Sequence, residues 1–126
     1  KLIRASANQH VVESLESELD RLIISNSIEP SEIMIITGHR ELRDYIKEKV
    51  PGGFECSTWE GSVSGQIVCE TIQRCKGLER TVVILATTDN RIADTLLYVG
   101  LSRANSELIV MGPPGLLKRI ENFRKT

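Results

Sequence analysis

A chain of 126 residues is long enough to bury one real core and too short for a multidomain machine. Hydrophobic residues make up 40% and charged residues 26%, which excludes a disordered or fibrous chain. A net charge of −1 offers no broad basic face for duplex DNA, while leaving room for a narrow groove that touches a few phosphates. The apolar runs are far too short to span a bilayer, and no signal-peptide pattern is present. Cys56, Cys69 and Cys75 lack C-x-x-C spacing, so they read as small core residues of a reducing, cytoplasmic compartment. The chain opens on Lys1 rather than Met, as an excerpt of a longer protein would.

From Gln9 to about Ile28, apolar Val11, Val12, Leu15, Leu19, Leu22 and Ile23 recur at helical spacing, with Asn8 as the expected N-cap. Pro30-Ser31-Glu32 breaks that helix. Ile33 to Ile36 then reads as a strand covered on both faces, because its apolar residues do not alternate with polar ones. Thr37-Gly38-His39 turns into a helix over Glu41 to Val50, with Leu42, Tyr45 and Ile46 inward, ended by Pro51-Gly52-Gly53.

Phe54 to Trp59 is a further strand candidate, and Glu60 to Gly65 a polar loop. Gln66 to Ile72 is β-like, and Thr81 to Thr87 is the strongest strand, β-branched and nearly uncharged. Asp89-Asn90 is expected to cap a helix running to about Ser102. Leu108 to Met111 is the last strand and Leu116 to about Phe123 a closing helix. Strands alternating with helices predict a single α/β domain over 1–126, a parallel sheet with helices on both faces.

Several kinds of chemistry are missing. The chain has no G-x-x-x-x-G-K-[ST] phosphate loop, no G-x-G-x-x-G and no G-x-S-x-G elbow. His10 and His39 stand in unrelated settings and form no metal-ligand cluster. Taken by itself, the chain has no visible means of gripping a triphosphate.

Two polar stretches beside apolar strands stand out. Thr71-x-Gln73-x-x-Lys76-Gly77-Leu78-Glu79 resembles motif V of superfamily 1 helicases, usually T-x-H-x-x-K-G-L-E. Leu97-Tyr98-Val99-Gly100-Leu101-Ser102-Arg103-Ala104 is similar to their motif VI, Y-V-A/G-x-[ST]-R-A. Order, spacing and flanking strands agree, most firmly from Val68 to Gly112; Ile33 to Val50 falls where motif IV would.

The resemblance implies the second RecA-like domain (2A) of a UvrD-like ATP-dependent helicase. Such a domain meets single-stranded or partly duplex DNA and a RecA-like domain 1A of the same polypeptide. Domain 1A would hold ATP on its phosphate loop and supply the Mg2+ ligands, so this chain alone should not hydrolyse ATP. The residues between Val50 and Gln66 are too few for the large inserted 2B domain of UvrD-like enzymes.

By the same resemblance Arg103 is the candidate arginine finger; its structural alternative is a cation at a helix C-terminus. Glu79 corresponds to the glutamate that hydrogen-bonds the ribose, or else is a solvated loop carboxylate. Gly77 forms a corner that permits positive φ or close backbone approach, and Lys76 beside it contacts phosphate or is solvated. Thr71 and Gln73 match strand-contacting positions, with Gln73 in place of the usual His. Gly38 takes the place of the motif IV arginine, with His39 and Arg40 next, and Arg40 reaches nucleotide by a longer loop or is an exposed helix start. Gly100 inside a helix points to close approach of another backbone. Tyr98 reads foremost as a packing residue, and Trp59 as packing ahead of base stacking.

Two rivals remain: a non-catalytic helicase-like module that binds nucleic acid or protein, and an unrelated nucleotide-binding domain of flavodoxin-like topology.

Overall fold

The structure is a computed structural model that describes residues 1–59, 65–75 and 77–124, with backbone only for 123 and 124. Its strands are β1 (Leu2–Arg4), β2 (Ile33–Thr37), β3 (Cys56–Ser57), β4 (Ile67–Thr71), β5 (Arg80–Ala86) and β6 (Ala104–Gly112). They form one sheet in the order β1-β6-β5-β2-β4-β3, and every described pairing is parallel. That order is not the 2-1-3-4-5 of flavodoxin-like folds, which removes the flavodoxin-like rival.

The α-helices among the described residues are α1 (Asn8–Leu19), α2 (Arg40–Lys49), α3 (Asp94–Leu101) and α4 (Pro114–Arg124). Helices α1 and α2 cover one face, packing Leu15, Leu19, Leu42 and Ile46 on Ile33, Ile35, Cys69 and Ile84. Helices α3 and α4 cover the other, packing Leu97, Leu116 and Ile120 on Met34, Ile36, Val83 and Leu85. All five residues of β2 are buried, as its unbroken apolar run requires. Each such Leu or Ile contributes about 1.5–3 kcal/mol of burial.

Several boundaries differ from the sequence reading. Strand β1 carries no signal, because three residues on a sheet edge show no period. Asn8 is not the N-cap of α1 but its first residue; Ala7 holds the cap position with no side-chain bond. After Leu19 the helix widens into a π-helical stretch, Asp20–Ser25, which keeps Leu22 buried and leaves Ile24 65% exposed. The strand expected over Phe54 to Trp59 shrinks to the edge strand β3.

The helix expected from Asp89-Asn90 starts only at Asp94. Asp89 instead accepts the Arg91 backbone N–H at 2.8 Å in a local turn, and Ile92 plugs into the core. Arg119 of α4 then clamps the loop, donating to the Asn90 and Ile92 carbonyls and to Asp94.

The loops after β2 and β5 meet tightly at the carboxyl edge of the sheet. Gly38 N–H donates to the Ala86 carbonyl at 3.3 Å. A Cβ on Gly38 would lie 2.7 Å from Thr87 Oγ1 and 2.8 Å from Ile92 Cδ1, so only glycine fits without displacement. Gly38→Ala is expected to cost about 1–3 kcal/mol, measured as a lower urea midpoint with unchanged slope.

Candidate functional site

The sequence-selected residues divide between opposite edges of the sheet. At the carboxyl edge, the turn after β2 and the segment after β4 face each other across an open cleft of about 390 Å³. It is lined by Gly38, His39, Arg40, Arg43, Thr71, Gln73 and Arg74. Arg40 is the first residue of α2 and exposed, so it stands with Thr71 and Gln73 rather than with Glu79 and Arg103. Thr71 is the buried last residue of β4; Gln73 is exposed on the 3-10 turn Ile72–Arg74. Among the described residues, three arginines and a histidine line the cleft and no carboxylate does, although the whole chain is slightly acidic.

Arg43 and Arg74 were not singled out from sequence. Arg43 reads as one polar residue of an amphipathic helix, yet its side chain is 9% exposed and its Nη1 donates to Glu70 Oε1 at 2.9 Å. Glu70 lies inside β4 with no exposure and also accepts the backbone N–H groups of Thr71 at 3.1 Å and Trp59 at 3.2 Å. Burial disfavours the Arg43 charge, but the hydrogen bonds it donates to Glu70 and Asp44 outweigh that and raise its pKa. Removing one partner of such a pair costs about 3–5 kcal/mol, because the other stays buried and charged. A charged residue inside an otherwise apolar strand was the available signal for Glu70, and hence for its partner.

At the amino edge, Glu79 and Arg103 lie just before β5 and β6. Arg80 N–H donates to the Arg103 carbonyl at 3.2 Å, which sets the two loops side by side. Glu79 is exposed, and Gly77 adopts φ 80°, the positive value its corner was expected to need. Lys76, also expected at this corner, lies outside the described residues, as does most of the loop from Glu60 to Gly65. Arg103 folds back on the last turn of α3, Nε donating to the Val99 carbonyl and Nη2 to Ser102 Oγ, both at 3.1 Å. In this state it neutralises a helix C-terminus.

Two side-chain expectations change, those for Tyr98 and Gly100. Tyr98 does not pack into the core but is 72% exposed on α3. Gly100 approaches no foreign backbone; a Cβ there would meet the Leu85 side chain at 3.5 Å, an ordinary contact. The ring of Trp59 is 45% exposed and lies under the Arg80 guanidinium at 5.5 Å.

The cysteines are buried and free, as expected, and burial pushes the Cys56 thiol up to about 12, so it is no nucleophile at neutral pH. Among the described residues no cluster of acids, histidines and cysteines could hold a metal, and no helix is long and apolar enough to cross a membrane.

The family model of the UvrD-like helicase C-terminal domain matches residues 66–111, the segment that contains both polar stretches. Over residues 66–111 the chain is similar to that family. A solved structure, the C-terminal domain of a possible DNA helicase from Lactobacillus plantarum WCFS1, superposes with a TM-score of 0.74 at 18% identity. The match covers 92% of this chain and 77% of that one. At that identity the shared property is the fold, which is the RecA-like α/β arrangement expected from the sequence. A comparison with curated proteins gives no significant match.

The rim of the cleft makes one pH-dependent contact. Asp89 accepts from the Arg91 side chain and backbone and lies 3.3 Å from His39 Nε2; the Arg91 bonds chiefly hold its carboxyl down at about 2. A depressed carboxylate stabilises the fold above the ordinary range and loses that contribution as pH falls through 2. An NMR titration should therefore place the Asp89 midpoint near 2, and Arg91→Ala should return it toward the ordinary value of about 3.9.

Proposed function

We propose that this chain is the C-terminal motor domain of an ATP-dependent DNA helicase or translocase. It works against a second RecA-like domain that holds ATP and Mg2+. The single observation that carries the reading is the family match over 66–111, which takes in Thr71, Gln73, Glu79 and Arg103 together. The placement of these residues on two edges of one sheet supports it, because a motor domain must face a nucleotide and a strand at once.

In this reading the amino edge meets the nucleotide. Glu79, exposed beside the Arg103 loop, accepts a ribose hydroxyl, and Gly77 lets the corner turn sharply. Arg103 exchanges its bonds to the Val99 carbonyl and Ser102 Oγ for charge-assisted bonds to the γ-phosphate. The exchange is favourable because phosphate bonds are stronger than those to a neutral carbonyl or hydroxyl, and the planar fork can serve two phosphate oxygens. Magnesium and the phosphate loop belong to the partner domain, in keeping with the absence of a phosphate-binding glycine loop here.

The carboxyl edge meets single-stranded or partly duplex DNA through Thr71, Gln73 and Arg40, with Lys76 following in the same segment. Closure of the two domains on ATP, and opening after hydrolysis, shifts this edge along the strand. The chain between Thr71 and Arg80 joins the two edges, and Ile72 and Cys75 in it are pressed into the core.

Arg103→Ala in the two-domain protein is expected to lower DNA-stimulated ATP turnover by about 10³–10⁵ with the unfolding midpoint unchanged. Near-normal turnover would favour the non-catalytic helicase-like module. This chain alone should hydrolyse no ATP.

A further inference from the structure

We propose that Arg43 is a phosphodiester contact in the carboxyl-edge cleft and that Glu70 is its positioning residue, a proposal that rests on the strand-facing reading above. Arg43 is nine-tenths buried and still lines the cleft. A guanidinium so far out of water is retained only with a partner. Glu70 is that partner, and both of its oxygens are engaged. One oxygen accepts from Arg43 Nη1 and the Thr71 N–H, the other from the Trp59 N–H. One carboxylate thus ties together α2, the end of β4 and the chain after β3.

On Arg43, Nε goes to Asp44 and Nη1 to Glu70, while Nη2 donates to none of the described residues. The result is a cation whose orientation is fixed from behind and which keeps donors for a ligand. Preorganisation of this kind lowers the entropy cost of binding, unlike a solvated arginine that must first be ordered.

The chemistry of the cleft selects a phosphodiester backbone over a mononucleotide. Its described lining offers cations together with the Thr71 hydroxyl and the Gln73 amide, and among the described residues no carboxylate lines it. It is open, has no glycine-rich loop to wrap a triphosphate, and lies on the edge opposite Glu79 and Arg103. Spaced donors along an open groove suit a chain of single phosphates.

The test is binding of fluorescein-labelled oligothymidylate to this chain by anisotropy across a salt series. Arg43→Gln should weaken binding on the order of tenfold and reduce the slope of log K against log salt by about 0.7, one phosphate contact to a single strand. Glu70→Gln keeps the Arg43 charge but loosens it, so affinity should fall while the slope holds. The double variant Glu70→Gln with Arg43→Gln removes both charges and guards against unfolding of either single variant. It should match Arg43→Gln in slope, and its fold is checked by circular dichroism.

A folded double variant with wild-type affinity and slope overturns the role of Arg43, while the strand-facing reading survives if Gln73→Ala still weakens binding. No binding by the wild-type chain, or binding indifferent to both Gln73 and Arg43, overturns both. Displacement of the oligonucleotide by micromolar ATP or pyrophosphate assigns the cleft to a nucleotide and also overturns the proposal.

Discussion

The segment between β4 and β5 has to travel from the carboxyl edge of the sheet back to the amino edge, and it does so without an α-helix. Ile72 and Cys75 make the short path possible. Both are buried against Met34, Val83 and Leu85, and Cys75 Sγ bonds back to the Ile72 carbonyl at 3.1 Å. Parallel strands ordinarily need a helical crossover of a dozen or more residues. Here α3 and α4 cover the remainder of that face, so a single 3-10 turn suffices. In the proposed reading this has a consequence for function: Thr71 and Gln73 at one edge and Gly77 and Glu79 at the other lie on one short piece of chain anchored by Ile72 and Cys75. A parallel strand rises about 3.3 Å per residue, so the edges of β5 stand on the order of 20 Å apart. Two ligands can then be served without competing for space.

Electrostatics follow the same division. The chain as a whole is close to neutral, yet the described lining of the cleft is cationic and the amino edge carries the exposed carboxylate of Glu79 and the guanidinium of Arg103. Charge is placed by topology rather than by excess. Glu70 shows the cost of that placement. A carboxylate inside a sheet strand would ordinarily be expelled, and it is kept by three donors that also fix Arg43 and the ends of two strands. The energy that such a pair returns is small, whereas the geometry it imposes is specific.

Much of this fold is legible in the amino-acid sequence. Ile33 to Ile36 and Thr81 to Thr87 reveal buried strands because nothing polar interrupts them, and the helices between them imply parallel pairing. The spacing of Glu79 and Arg103 to their strands marked both as loop residues. Edges were harder to read: β1 and β3 are too short to show a period, and Asp89 mimics a helix cap while serving a turn. Tertiary facts were not legible at all. No local pattern says that Arg40 and Arg103 end on opposite edges, since that depends on strand order. Nor does the sequence of α2 distinguish buried Arg43 from solvated Arg40 three residues away.

The central claim, two ligands on two edges of one sheet, is tested most directly by a structure of the two-domain protein with a non-hydrolysable ATP analogue and oligothymidylate. The account places the γ-phosphate within hydrogen-bond reach of Arg103 at the amino ends of β5 and β6. It places the strand across Arg40, Arg43, Thr71 and Gln73 at the carboxyl ends of β2 and β4. A nucleotide seated in the carboxyl-edge cleft, or a strand running past Arg103, would contradict it.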